Sequence, residues 1–91
     1  MSAPYKTTPV FDETSLPLGL QKEHRTKEGV FGLIRVLEGA IALRILEPPS
    51  EVQLTPQRPG LVLPAQPHEL EVLRGVTFKL RVEFYTEAPS T

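Results

Sequence analysis

A single all-β domain is the fold class this sequence predicts, and three observations carry that expectation. Ten prolines interrupt 91 residues, and a proline costs about 3 kcal/mol in a helix interior. Between the breaks, apolar and polar residues alternate with the period of a half-buried strand. At 10.1 kDa the chain sits at the lower end of the usual domain size of about 100–150 residues, so it holds one core.

The elements follow in order. Only Leu18–Glu47 and His68–Ala88 are long proline-free windows. In Val30–Leu37, Leu33 and Leu37 flank Arg35 on one face while Ile34 and Val36 occupy the other. Glu38-Gly39 reads as a tight turn, after which Ile41, Leu43 and Ile45 alternate with Ala42 and Arg44. This is expected to be a hairpin, with Gly39 supplying the positive φ of its turn. Leu46–Ser50 is a loop, Val52–Thr55 a short strand, Thr55–Gly60 a turn and Leu61–Leu63 another strand closed by Pro64–Pro67. His68–Leu73 and Val76–Tyr85, joined by Arg74-Gly75, read as a second hairpin. There Phe78, Leu80, Val82 and Phe84 face the core, and Lys79, Arg81, Glu83 and Tyr85 face outward or into a cleft. The sum is roughly seven or eight short strands, as in a sandwich or barrel. Residues 1–91 form one domain with its core over about residues 5–85, and both termini are expected to fray.

Composition excludes several function classes. Eleven acids against ten bases leave a net charge of -1, so nucleic acid is not an expected partner. The absence of cysteine rules out disulfides, thiolate nucleophiles and Cys-rich structural zinc. MSAPYKTTPV has no apolar h-region and no run approaches a membrane span, so a cytoplasmic location without membrane contact is expected. No Gly-x-Gly-x-x-Gly, Walker-type or Gly-x-Ser-x-Gly pattern occurs, so neither a nucleotide nor S-adenosylmethionine is an expected cofactor.

The two histidines, His24 and His68, both fall at strand–loop junctions. Without cysteine, a metal site needs histidine plus carboxylate. A divalent transition metal (zinc, iron, manganese or nickel) held by His24 and His68 is therefore the candidate chemistry. Glu83 or Glu28 would be the third ligand. Arg25, Arg35 and Arg81 are candidate donors to a small oxyanion, unless they only solvate strand faces.

Two half-motifs resemble the cupin superfamily. His24 opens a glycine-punctuated segment ending Val36-Leu37-Glu38-Gly39, and His68 closes Gly60-x3-Pro64-x2-Pro67-His68. The sequence departs from that pattern at Thr26, where a cupin has the second histidine of a His-x-His pair. A narrower resemblance spans about residues 5–85. Thr8-Pro9-Val10-Phe11, Leu16-Pro17-x-Gly19-Leu20 and His24-Arg25-Thr26-Lys27-x-Gly29-Val30-Phe31-Gly32 are similar to the TehB/YeaR-like domain family. So are Arg35–Gly39, Leu54-Thr55-Pro56, Arg58-Pro59-Gly60 and Val82-Glu83-Phe84-Tyr85. The resemblance implies a cupin-like, jelly-roll β-barrel or sandwich associated with tellurite resistance or a stress response. In longer relatives it precedes a methyltransferase domain, for which this chain has no room.

The expected function is thus a small cupin-like domain that binds a metal or an oxyanion, not itself a methyltransferase. The alternative is a non-catalytic interaction module without metal. A homodimer is expected, because Ile34, Val36, Ile41, Leu43 and Ile45 on one hairpin present more apolar surface than one core readily hides.

Overall fold

The computed structural model describes residues 3–89. Its strands are β1 (Lys6–Thr7), β2 (Phe11–Asp12), β3 (Phe31–Gly39), β4 (Ile41–Leu46), β5 (Pro49–Leu54), β6 (Gly60–Val62), β7 (His68–Glu71) and β8 (Phe78–Tyr85). One 3-10 turn, Leu18–Leu20, is the sole helical element among the described residues. The all-β expectation holds. The strands make two antiparallel sheets, one ordered β1-β8-β3-β6 with β2 also on β8, the other β5-β4-β7. No helix among the described residues is long and apolar enough to cross a membrane.

Pro9 explains why β8 is flanked by two fragments rather than one strand. β1 pairs with Glu83 and Phe84, and β2 pairs with Lys79 and Leu80. A proline cannot donate to a ladder and belongs at an edge. The Thr8 hydroxyl bridges the break by accepting a hydrogen bond from the Val82 N–H at 2.9 Å.

The inner faces of the two sheets meet in one core. Ile34 and Val36 of β3, Val62 of β6 and Phe78, Leu80 and Val82 of β8 pack against Ile41, Leu43, Leu54 and Leu70 of the other sheet. Each such side chain contributes about 1.5–3 kcal/mol when removed from water. Phe78 and Leu80 are fully buried, as the alternation in β8 predicts; Phe84 is only half-buried. Gly60 lies on the inner face because a Cβ there would come within 2.8 Å of Leu54 Cδ1 and 2.9 Å of Leu43 Cδ2.

Both expected hairpins are corrected. β3 runs on through Glu38 and Gly39, which pair with Lys79 and Phe78 of β8, and β4 then enters the other sheet. Likewise β7 and β8 belong to different sheets. The turns at Gly39 and Arg74-Gly75 are therefore corners that carry the chain across the core. The one hairpin among these elements is β4/β5, with Leu46 opposite Pro49, so the expected loop Leu46–Ser50 is largely strand. Alternation looks the same whether the next strand lies beside or across. A bulge lies between Val36 and Glu38; Leu37 within it is exposed, whereas Leu33 is completely buried.

The corners also remove the reason given for a homodimer. Ile34, Val36, Ile41 and Leu43 lie in the chain's own core and Ile45 packs against it. None of the five is left for a second copy.

Candidate functional site

The site is built where the chain returns to the same place from two distant segments. His24 and His68 form an isolated antiparallel bridge, each N–H donating to the other's carbonyl at 2.8 and 2.9 Å. That places both side chains on one side of the backbone. The rings meet edge to face with centroids 5.3 Å apart.

Thr26 locks this arrangement. Its hydroxyl donates to the Val30 carbonyl at 2.8 Å and accepts from the Ala65 N–H at 3.1 Å. It thereby joins the turn after His24 to the loop before His68. The Arg25 guanidinium adds a second tie by donating to the Ala65 carbonyl at 3.1 Å. Thr26 is itself buried and serves as a clasp between the two segments.

The two imidazoles differ electrostatically. His68 is buried, and its Nδ1 lies 3.0 Å from the Gln66 carbonyl oxygen. A carbonyl only accepts, so Nδ1 carries the proton and Nε2 keeps its lone pair. Burial holds this imidazole below its ordinary value of 6.5; the bond to Gln66 opposes the shift and the neighbouring His24 reinforces it. His24 Nδ1 is buried with no hydrogen-bond partner among the described residues. Such an orphan costs about 1–3 kcal/mol and calls for a ligand or water. Beneath the rings is a cavity of about 20 Å³ between His24, His68, Ile34, Val62, Val82 and Phe84. Its size suits a single water molecule.

Glu83 is not brought to the histidines. It alternates with Val82 and Phe84, which line the cavity, and so projects from the opposite face of β8. Its buried carboxylate is fully engaged there. One oxygen accepts from Arg35 Nε at 2.9 Å and Tyr85 OH at 2.7 Å, the other from Arg81 Nε at 3.0 Å. Burial pushes this carboxyl up, but the bonds from Tyr85, Arg35 and Arg81 outweigh that and lower it below 4.5. Glu28 lies exposed on the turn after Thr26. Among the described residues no three His, Asp or Glu side chains gather as a metal site. The donor set is therefore two imidazoles, not the three protein ligands of a resident catalytic metal.

Sequence reasoning missed two features because both depend on distant pairing. Arg44 is ringed by Glu51 at 3.5 Å, Glu69 at 3.4 Å and Glu71, which β5 and β7 bring to its outer face. A cleft of about 290 Å³ opens beside His24, with Lys6, Arg25 and Lys27 in its wall.

A two-sheet antiparallel sandwich with a paired-histidine pocket between its sheets is the class of protein these features define. The chain belongs to the TehB-like domain family, whose match covers residues 6–80. It is similar to the crystal structure of TehB from Haemophilus influenzae, with 31% identity and a TM-score of 0.79 over 90% of this chain. It spans only 30% of that TehB chain. It also shares its fold with a protein from E. coli (strain K12), at a TM-score of 0.80 and 18% identity, covering 98% of this chain and 93% of that one. No curated protein matches the chain.

Proposed function

We propose that this chain is a small cupin-like ligand-binding module that takes a divalent transition metal at His24 and His68 and serves tellurite resistance or a related stress response in the cytoplasm. The observation that carries the reading is the orphaned Nδ1 of His24 beside a neutral, pre-oriented His68. A carbonyl bond that fixes one ring nitrogen while the other stays free is the usual support of a ligating histidine. With two protein ligands, at least half of the coordination positions are left to water or to a small oxyanion. A bound ion would supply Lewis-acid polarisation of that oxyanion. The chain's own residues contribute the fixed ring orientation and the apolar floor of Ile34, Val62 and Val82.

Titration of metal-free protein with Zn²⁺ or Co²⁺, followed by calorimetry and the visible Co²⁺ spectrum, tests this. One ion per chain is expected, lost in both His24→Ala and His68→Ala with far-UV circular dichroism unchanged. No saturable binding by the unmodified chain, or undiminished binding by either variant, overturns it.

The second reading is a metal-free interaction module that forms a homodimer. It draws on β6, the last strand of its sheet, where Leu61 and the following Leu63 are exposed on a short edge between Pro59 and Pro64. Sedimentation at micromolar concentration decides it: a 20 kDa species (twice 10.1 kDa) without metal supports it, and a 10 kDa species overturns it.

A further inference from the structure

The cleft of about 290 Å³ beside His24 has a wall unlike the rest of the surface. Lys6, Arg25 and Lys27 line it, and no acidic residue does. The whole chain carries net charge -1, so this is a local concentration of positive charge against the overall balance. Lys6 and Lys27 have no carboxylate within ion-pair distance among the described residues. Arg25 spends one N–H on the Ala65 carbonyl at 3.1 Å, and its one carboxylate neighbour among the described residues is Glu23 at 3.4 Å, with both side chains more than half exposed. Such an exposed pair contributes little, so the charge and the remaining N–H groups of the guanidinium are available to an anion.

The cleft has an apolar side as well. Lys6 is directly opposite Phe84 in the β1/β8 ladder, so ammonium and ring share one face of the sheet. Phe84 is half-buried and Tyr5 is 55% exposed, and both line the cleft. His24 and Thr26 complete its lining. The volume approaches the lower limit of small-molecule sites, about 300 Å³.

We infer that this cleft binds a small organic anion, a carboxylate or phosphate joined to one apolar group, with Lys6, Arg25 and Lys27 taking the charge and Tyr5 and Phe84 the apolar part. Convergent cations in a concave, partly apolar wall raise the local concentration of an anion and strengthen each contact. An inorganic anion would leave Tyr5 and Phe84 uncovered, which is why the ligand needs an apolar end. Binding requires no metal, so the inference stands apart from the metal reading.

The test is an NMR titration of the full ¹⁵N-labelled chain with phenyl phosphate at constant ionic strength in EDTA. Saturable shifts are expected at the amides of Lys6, His24, Lys27 and Phe84, with none around Arg44. Inorganic phosphate should bind roughly tenfold more weakly or worse, since it forfeits the buried ring. Lys6→Gln with Lys27→Gln, two exposed changes, should weaken phenyl phosphate roughly tenfold or more, the loss of charge-assisted contacts. Non-saturable shifts, shifts equal to those with chloride, or unchanged affinity in the double variant overturn the inference. Zn²⁺ titration of the same samples separates the two readings, because either can fail while the other survives.

Discussion

His24 and His68, forty-four positions apart, bond to each other through both main-chain N–H groups, and their rings meet edge to face with centroids 5.3 Å apart. The burial of His68 makes the fold sensitive to pH. The folded His68 binds its proton more weakly than an unfolded histidine, because burial disfavours the charged ring. Below about pH 6.5 the unfolded chain therefore holds more protons than the folded one. The stabilisation is present above that value and is lost as pH falls toward the folded His68 value. Urea unfolding from about pH 8 down to pH 5 should show stability declining with acid, and His68→Gln should flatten that limb. An unchanged slope in the variant would remove His68 as the cause.

Glu83 makes a separate, more acidic prediction. Arg35 and Arg81 stand directly opposite across β3 and β8, an unfavourable pairing of like charges that only the carboxylate between them relieves. Glu83→Gln is expected to cost about 2 kcal/mol or more and Tyr85→Phe about 1 kcal/mol, measured by urea denaturation. The folded carboxyl is lowered below 4.5, so its contribution is present above the unfolded value and fades as pH falls through the folded one. An equal loss of stability in Glu83→Gln at pH 7 and at pH 2 would contradict this.

The core should discriminate between two phenylalanines on one strand. Phe78 is 2% exposed, and Phe78→Ala is expected to cost about 3–5 kcal/mol. Phe84 only packs against the core margin, so Phe84→Ala should cost roughly 1–2 kcal/mol, about half the value for full burial. Equal costs in denaturant titrations would mean that the cleft beside Phe84 is closed in solution.

Gly39 tests the corner between the sheets. Its φ is 76°, and a Cβ there would lie 1.9 Å from the Thr77 carbonyl oxygen. Gly39→Ala should therefore cost about 3 kcal/mol or more, the left-handed penalty plus displacement of backbone. Gly75 has the same φ of 76° with no atom within 4 Å of the added carbon. Gly75→Ala should cost only about 1–2 kcal/mol. Thermal unfolding of the two variants makes the comparison.

Much of this molecule is legible in one dimension. Prolines exclude helix, the alternation Phe78-Leu80-Val82 marks a core stripe, and the blocks around His24 and His68 carry the family resemblance. These features are local, set by backbone chemistry and a period of two. The sequence also singled out His24 and His68 together, and the fold joins them.

What only the tertiary structure decided is which strands are neighbours and what covers each face. Alternation assigns Glu83 to the side opposite Val82, yet whether that side is solvent, pocket or ion cluster depends on Arg35, forty-eight positions away. Gly39 looks like a hairpin turn because a tight corner and a hairpin ask the same φ of a glycine. The cationic cleft was invisible for the same reason: Lys6 and Lys27 meet only after β1 has paired with β8. Local chemistry fixes the conformation of a strand, while long-range packing selects its partner, and here the partners create the site.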